Sequence, residues 1–138
     1  MREVRGAVRE IRHSKAMLIV PGEEDAHSAG SFFKNPILPT ALVEELSARL
    51  AVRGWQLPTH LAADGCRKLP AAWLVEHAGL SKGYTRGRAG ISRKHALAIV
   101  NCGGATAAEI VALKDEIRQR VCDEFGIMLE PEPVLVGF

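Results

Sequence analysis

Apolar positions recur along this chain at two different periods, and the switches between them mark out its elements. Val4, Val8 and Ile11 fall at i, i+4 and i+7, which predicts a helix from Arg2 to about Ser14 with four arginines on another face. Ala16 to Val20 is short and apolar, as a strand would be, and Pro21 to Ala29 is an acidic loop with Gly and Ser. Thr40 is placed to cap a helix that carries Leu42, Leu46 and Leu50 and stops at Gly54. Pro58 to Arg67 has no period and predicts an irregular connection, with Asp64-Gly65 as a turn. Pro70 opens a short helix with Trp73, Leu74 and Ala78 on one face and Gly79 beyond its last turn. The stretch from Leu80 to Gly90 mixes glycines with basic residues and predicts a loop. His95 to Val100 is an apolar run short enough for a buried strand.

The strongest local signal lies near the carboxyl end. Thr106-Ala107-Ala108-Glu109 has the spacing of a capping box, in which the Thr hydroxyl and the Glu carboxylate each satisfy an orphan backbone donor. Ile110, Leu113, Ile117, Val121 and Phe125 then share one helical face, and Gly126 supplies the left-handed residue that ends it. Ile127 to Leu129 and Val134 to Val136 predict strand pieces on either side of Glu130-Pro131-Glu132-Pro133. Mixed helices and strands without a βαβ repeat predict an α+β domain: two layers, with helices packed on a small mixed sheet.

Composition narrows the class without naming a function. With 138 residues, 47% of them hydrophobic, the chain supports one core. A net charge of +2 is too small to argue for nucleic acid, and no apolar run approaches the roughly 20 residues of a membrane span. Arginines interrupt the amino terminus, so no secretory segment is read there. Cys66, Cys102 and Cys122 are odd in number and lack a CxxC spacing, which predicts a reducing, cytoplasmic setting. His13, His27 and His77 lack metal-ligand spacing.

Candidate chemistry concentrates in Gly30-Ser31-Phe32-Phe33-Lys34-Asn35-Pro36. It has no β-branched residue, so its strand propensity comes from the paired Phe, which predicts half-buried β structure with polar neighbours. Two further blocks follow in order. One runs from Lys68 to Asn101 and contains Lys-Leu-Pro-Ala-Ala-Trp-Leu-Val-Glu-His-Ala-Gly-Leu, Lys82-Gly83-Tyr84 and Ser92-Arg93-Lys94-His95-Ala96. The other is Gly104-Ala105-Thr106-Ala107 with its helix, ending Leu129-Glu130-Pro131-Glu132. Together they resemble the carboxyl-terminal part of the UDP-N-acetylenolpyruvoylglucosamine reductase (UDP-N-acetylmuramate dehydrogenase) family, which serves peptidoglycan precursor synthesis. The chain departs from the family pattern at Ala72 and Arg88.

The resemblance implies an FAD- and NADPH-dependent oxidoreductase that converts UDP-N-acetylglucosamine enolpyruvate to UDP-N-acetylmuramate in the cytoplasm. It implies that residues 1–20 are a remnant of the preceding flavin-binding domain and 21–138 a substrate-binding domain. The FAD-binding half would precede this chain, so no bound cofactor and no activity are expected of the chain alone. By the same resemblance Ser31 is the proton donor and Glu132 a catalytic carboxylate, while Lys15, Asn35, His95 and His60 contact substrate. Taken alone, Ser31, Glu132, Lys15, Asn35 and His95 have plainer readings: a strand hydroxyl, a solvated carboxylate, a helix-end cation, a turn former and a core imidazole, in that order. The competing functions are a non-catalytic polyphosphate or nucleic-acid binding module, resting on Lys82, Arg86, Arg88, Arg93 and Lys94, and a stand-alone scaffold that has lost catalysis.

Overall fold

The computed structural model describes residues 2–15 and 17–137. Helix α4 (Ala107–Phe125) is the backbone of the architecture and forms as its sequence dictates. The Glu109 N–H donates to Thr106 Oγ1 at 3.2 Å, and the Thr106 N–H donates to Glu109 Oε2 at 2.8 Å. Leu113, Ile117, Val121 and Phe125 are buried along one face. Gly126 sits at φ 73°, where an L side chain is strained, and its N–H closes on the Cys122 carbonyl at 2.8 Å.

Three more helices and two sheets complete an α+β fold. Helix α1 spans Arg2–Ser14, and a single 3₁₀ turn spans Glu24–Ala26. Strand β1 (Ser28–Ser31), β7 (Ala98–Asn101), β6 (Ala89–Ile91) and β5 (Thr85–Arg86) lie side by side in that order. A second sheet has the order β2 (Ile37–Pro39), β4 (Cys66–Lys68), β3 (His60–Leu61). Every pairing is antiparallel, so the expected sheet component is realised as two small antiparallel sheets. Helix α2 (Thr40–Ala51) lies between β2 and β3 in the chain, α3 (Ala71–His77) follows β4, and α3 and α4 pack together. The core runs through Phe33, Leu50, Leu69, Leu74, Leu80, Ile91, Leu113, Ile117 and Leu129, all essentially inaccessible to solvent.

Several segments differ from what the pattern predicts, each for a physical reason. Met17 to Val20 forms no strand (Ala16 lies outside the described residues); the Met17 N–H folds back onto the Arg12 carbonyl at 2.8 Å, and Ile19 is exposed. The predicted connection Pro58–Arg67 contains the β3–β4 hairpin, whose tight turn places Asp64 at φ 55° and Gly65 at φ 68°. Leu80 to Gly90 contains the β5–β6 hairpin, with Gly87 at φ 60° in its turn. Thr40 does not cap α2: its hydroxyl donates to the Gly65 carbonyl at 2.7 Å, so the hairpin turn takes it instead. The buried face of α2 is Val43, Leu46 and Leu50, leaving Leu42 exposed.

At the carboxyl end neither predicted strand piece forms. Pro131 and Pro133 lack the N–H that a ladder needs, and pairing is limited to one isolated bridge, Phe33 to Pro131. Ile127 and Leu129 are instead anchored in the core, whereas Val134 and Val136 are exposed. The α1 stripe exists as predicted but is uncovered, with Val4, Val8 and Ile11 at 68%, 46% and 57% exposure.

Candidate active site

Ser31 ends β1, an edge strand of the four-stranded sheet, and pairs with Ala98 of β7. The register shifts between Ser28 and Ser31, and Gly30 sits at φ +86° within that irregularity. Glycine is the residue that adopts this conformation without strain, so the glycine before the serine sets where the hydroxyl emerges. The Ser31 side chain is half-buried, and its hydroxyl donates to the Phe33 carbonyl at 3.4 Å, a long and weak bond.

The segment bearing Glu132 crosses beside this strand end. The Phe32 N–H donates to the Leu97 carbonyl at 2.8 Å, the Lys34 N–H to the Glu130 carbonyl at 2.9 Å, and the Glu132 N–H to the Phe32 carbonyl at 3.0 Å. Glu132 therefore lies one residue from Ser31 in the cross-strand register. Its side chain is exposed. Lys34 Nζ and Glu130 Oε1, 96 positions apart, form an ion pair across the same bridge. Ser31 and Glu132 line neither of the two larger hollows, of about 670 and 450 Å³. The first of these is lined by Lys34, Asn35, Glu130 and a mixed face of α2 that includes Leu42, Glu45, Leu46 and Arg49.

Asn35 has a task that its position in the sequence does not reveal. Its Oδ1 accepts the Ala71 N–H at 2.8 Å, so it satisfies a free donor at the first turn of α3, where Pro70 has no capping side chain. The amide donors of Asn35 are the part of it left for a ligand to use.

His95 feels the charges of two lysines. Its pKa is lowered, first by burial and then by the charges of Lys15 and Lys82, with Glu76 opposing. Its Nδ1 accepts the Leu97 N–H at 3.1 Å, which leaves Nε2 to carry the proton of the neutral ring. The loop is fixed from below by two buried side chains. Asp25 Oδ2 accepts the Ser92 hydroxyl at 3.0 Å and the Arg93 N–H at 2.8 Å, while Ser92 Oγ accepts the N–H groups of Lys94 and His95. Lys82, read from the sequence only as part of a Lys-Gly-Tyr block and of a basic set, acts on His95 through its charge and pairs with Glu76 at 3.8 Å. His60 lies in β3 at the edge of the other sheet, paired with Lys68, and is exposed. The structure thus brings the Ser31 and Glu132 segments side by side, lets the charges of Lys15 and Lys82 reach His95, and puts His60 in a different sheet from Ser31.

The His95 arrangement has a pH consequence. Between its lowered native pKa and the usual value near 6.5, the unfolded chain binds a proton that the native one does not. Its contribution to stability is therefore complete above that range and is lost as pH falls through it. Lys82→Met should raise the His95 pKa, read from the pH titration of its Cε1 proton by NMR. An unchanged or lower value would mean that Lys82 does not act on the imidazole.

The close-packed glycines of this chain are spent internally. A Cβ on Gly87 would meet Glu109 Oε1 at 2.7 Å, and one on Gly90 would meet Cys102 Sγ at 2.9 Å. These approaches are taken up by the chain's own side chains and offer a dinucleotide phosphate no cradle at these two positions. Among the described residues no group of three or more His, Cys, Asp or Glu is placed to hold a metal ion, and no helix is long and apolar enough to cross a membrane. None of the three cysteines forms a disulfide.

These residues are carried by an α+β domain in which Ser31 ends an edge strand and the Glu132 N–H pairs with the adjacent Phe32 carbonyl. Residues 21–136 match the family model for the UDP-N-acetylenolpyruvoylglucosamine reductase, C-terminal domain. The chain is 47% identical to the UDP-N-acetylenolpyruvoylglucosamine reductase of Thermobifida fusca over 98% of its own length and 39% of that relative. It is 46% identical to the enzyme of the same name from Nocardia farcinica, over 97% of this chain and 36% of the relative. The Mycobacterium ulcerans reductase is also 46% identical, over 99% of this chain and 37% of the relative. The chain belongs to the UDP-N-acetylenolpyruvoylglucosamine reductase C-terminal domain family. It spans 36–39% of the length of these curated relatives.

Proposed function

We propose that this chain is the substrate-binding and proton-delivering part of a reductase that converts UDP-N-acetylglucosamine enolpyruvate to UDP-N-acetylmuramate. The observation that carries this is the backbone bridge joining the Ser31 arm to the Glu132 arm. It rests equally on membership of a family whose relatives bear the reductase name. FAD and NADPH would supply the reducing equivalents from the part of the enzyme outside the matched segment, with residues 1–20 completing that preceding domain. The uncovered α1 stripe agrees with such a neighbour.

The task left to these residues is to deliver one proton to carbon and to support the enolate that precedes it. Ser31 is a weak acid, so it serves only when held in reach of the carbon with its alkoxide stabilised. Glu132 supports the developing enolate only where it is protonated or shares a proton, since a bare carboxylate there would repel it. Lys15 and Lys82 attract the diphosphate, the Nε2–H of neutral His95 donates to it, and the Asn35 amide offers further donors. His60 extends the substrate surface from the second sheet. Lowering the His95 pKa keeps it a neutral donor, so the two lysines carry the charge.

The binding-module alternative is weakened by how its cations are arranged. Lys82, Arg86 and Lys94 pair with Glu76, Glu116 and Glu23, which neutralises much of the basic surface that nucleic acid would need. The decisive experiment is a chimera in which this chain replaces the matching segment of the Thermobifida fusca reductase. Turnover of NADPH that depends on the UDP-sugar is expected. A folded chimera with none, together with steeply salt-dependent RNA binding by the chain itself, would favour the alternative. The purified 138-residue chain should be colourless; a bound-flavin spectrum would contradict the division of labour proposed.

A further inference from the structure

We infer that Arg118 and Lys34 are positioning residues that hold the Glu132 segment in register beside the strand end that carries Ser31. This rests on the proposed role of Glu132 but comes from a separate feature, the way its segment is held. Pro131 and Pro133 have no N–H, so from 131 to 133 the Glu132 N–H alone can donate to the neighbouring strand. Beyond it Val134 and Val136 are 86% and 83% exposed, which leaves the segment without an apolar anchor on that side. The direction of Glu132 is therefore set from the residues before it.

Those residues are gripped at two points. Leu129 is fully buried, and Arg118 Nε of α4 donates to its carbonyl at 2.9 Å. Arg118 is only 31% exposed and is oriented by Asp115 one turn earlier at 3.7 Å. A charged donor on a partly buried carbonyl is among the stronger hydrogen bonds a side chain makes. One residue on, Glu130 pairs with Lys34, which lies in the same heptapeptide as Ser31. Arg118 thus ties the Glu132 segment to the rigid helix, and Lys34 ties it to the strand end that carries the hydroxyl. The exposed Lys34 pair contributes little energy by itself, so its effect is on register rather than on stability.

Two measurements separate this from simple packing. In the 138-residue chain, Arg118→Met keeps the apolar stem but loses the donor, and should speed hydrogen exchange at the Glu132 amide about tenfold, the scale of one lost charge-assisted hydrogen bond. Unchanged protection there overturns the inference whatever the fate of the catalytic reading. In the chimera, Arg118→Met and Lys34→Met should each lower kcat about tenfold with little change in KM, and Lys34→Arg should restore it. On a Glu132→Gln background neither should lower kcat further, because both act through that carboxylate. Losses that simply multiply would mean a general structural role and would overturn the inference. If Glu132→Gln leaves turnover intact, the catalytic reading of Glu132 falls and the positioning role falls with it, while the exchange result still reports the clamp.

Discussion

Ser31→Ala in the chimera is expected to cut turnover of the UDP-sugar by at least ~10²-fold, the lower end of what a positioned general acid contributes. The change removes one oxygen from a half-buried strand end, so the fold has little reason to respond. In the native chain that oxygen makes only a 3.4 Å bond to the Phe33 carbonyl, too long to contribute much stability. Reduction of the holoenzyme by NADPH in the absence of substrate should proceed at the unsubstituted rate, since no proton is delivered to carbon in that reaction. Equal slowing of both reactions would point to damage at the domain as a whole, and full activity would remove Ser31 from the chemistry.

Phe33→Ala is expected to destabilise the isolated chain by roughly 3–5 kcal/mol, the usual cost of emptying a buried aromatic site. Phe33 is 1% exposed, stands edge-on to Phe32 with ring centroids 5.9 Å apart, and carries the bridge to Pro131. The cavity would open beneath the serine and beside the glutamate segment, and neither the capped α4 nor the edge strand can slide to fill it. A small domain has about 5–15 kcal/mol in total, so the variant should be partly unfolded in modest urea. The midpoint and slope of a urea titration above pH 7, where the His95 contribution is complete, provide the check. A loss below about 1 kcal/mol would mean that the packing around the two phenylalanines is loose.

How much of this could be read from the sequence depends on whether the signal is local. Helix α4 was legible because its cap, its apolar face and its terminating glycine all lie within one continuous stretch. The β3–β4 and β5–β6 hairpins were not, since strands of two or three residues are defined by their partners and show no alternation of their own. Thr40 shows how a distant group overrides a local preference: the Gly65 carbonyl takes the hydroxyl that a cap would have used. Asn35 gives the same lesson, for its acceptor is held by a backbone N–H 36 positions away. The α+β class and the family were both accessible, the second through three ordered blocks. What no block revealed was that the charges of Lys15 and Lys82 act on His95, or that Lys34 meets Glu130, because these relations exist only in the folded chain.

The central claim is spatial, and a crystal structure of the chimera with UDP-N-acetylglucosamine enolpyruvate bound tests it most directly. The account predicts Ser31 Oγ at roughly 3 Å from the carbon that receives the proton, with the Glu132 carboxyl on the same enolpyruvyl group. Substrate seated with Ser31 and Glu132 on opposite walls, or against the second sheet and touching neither, would contradict it.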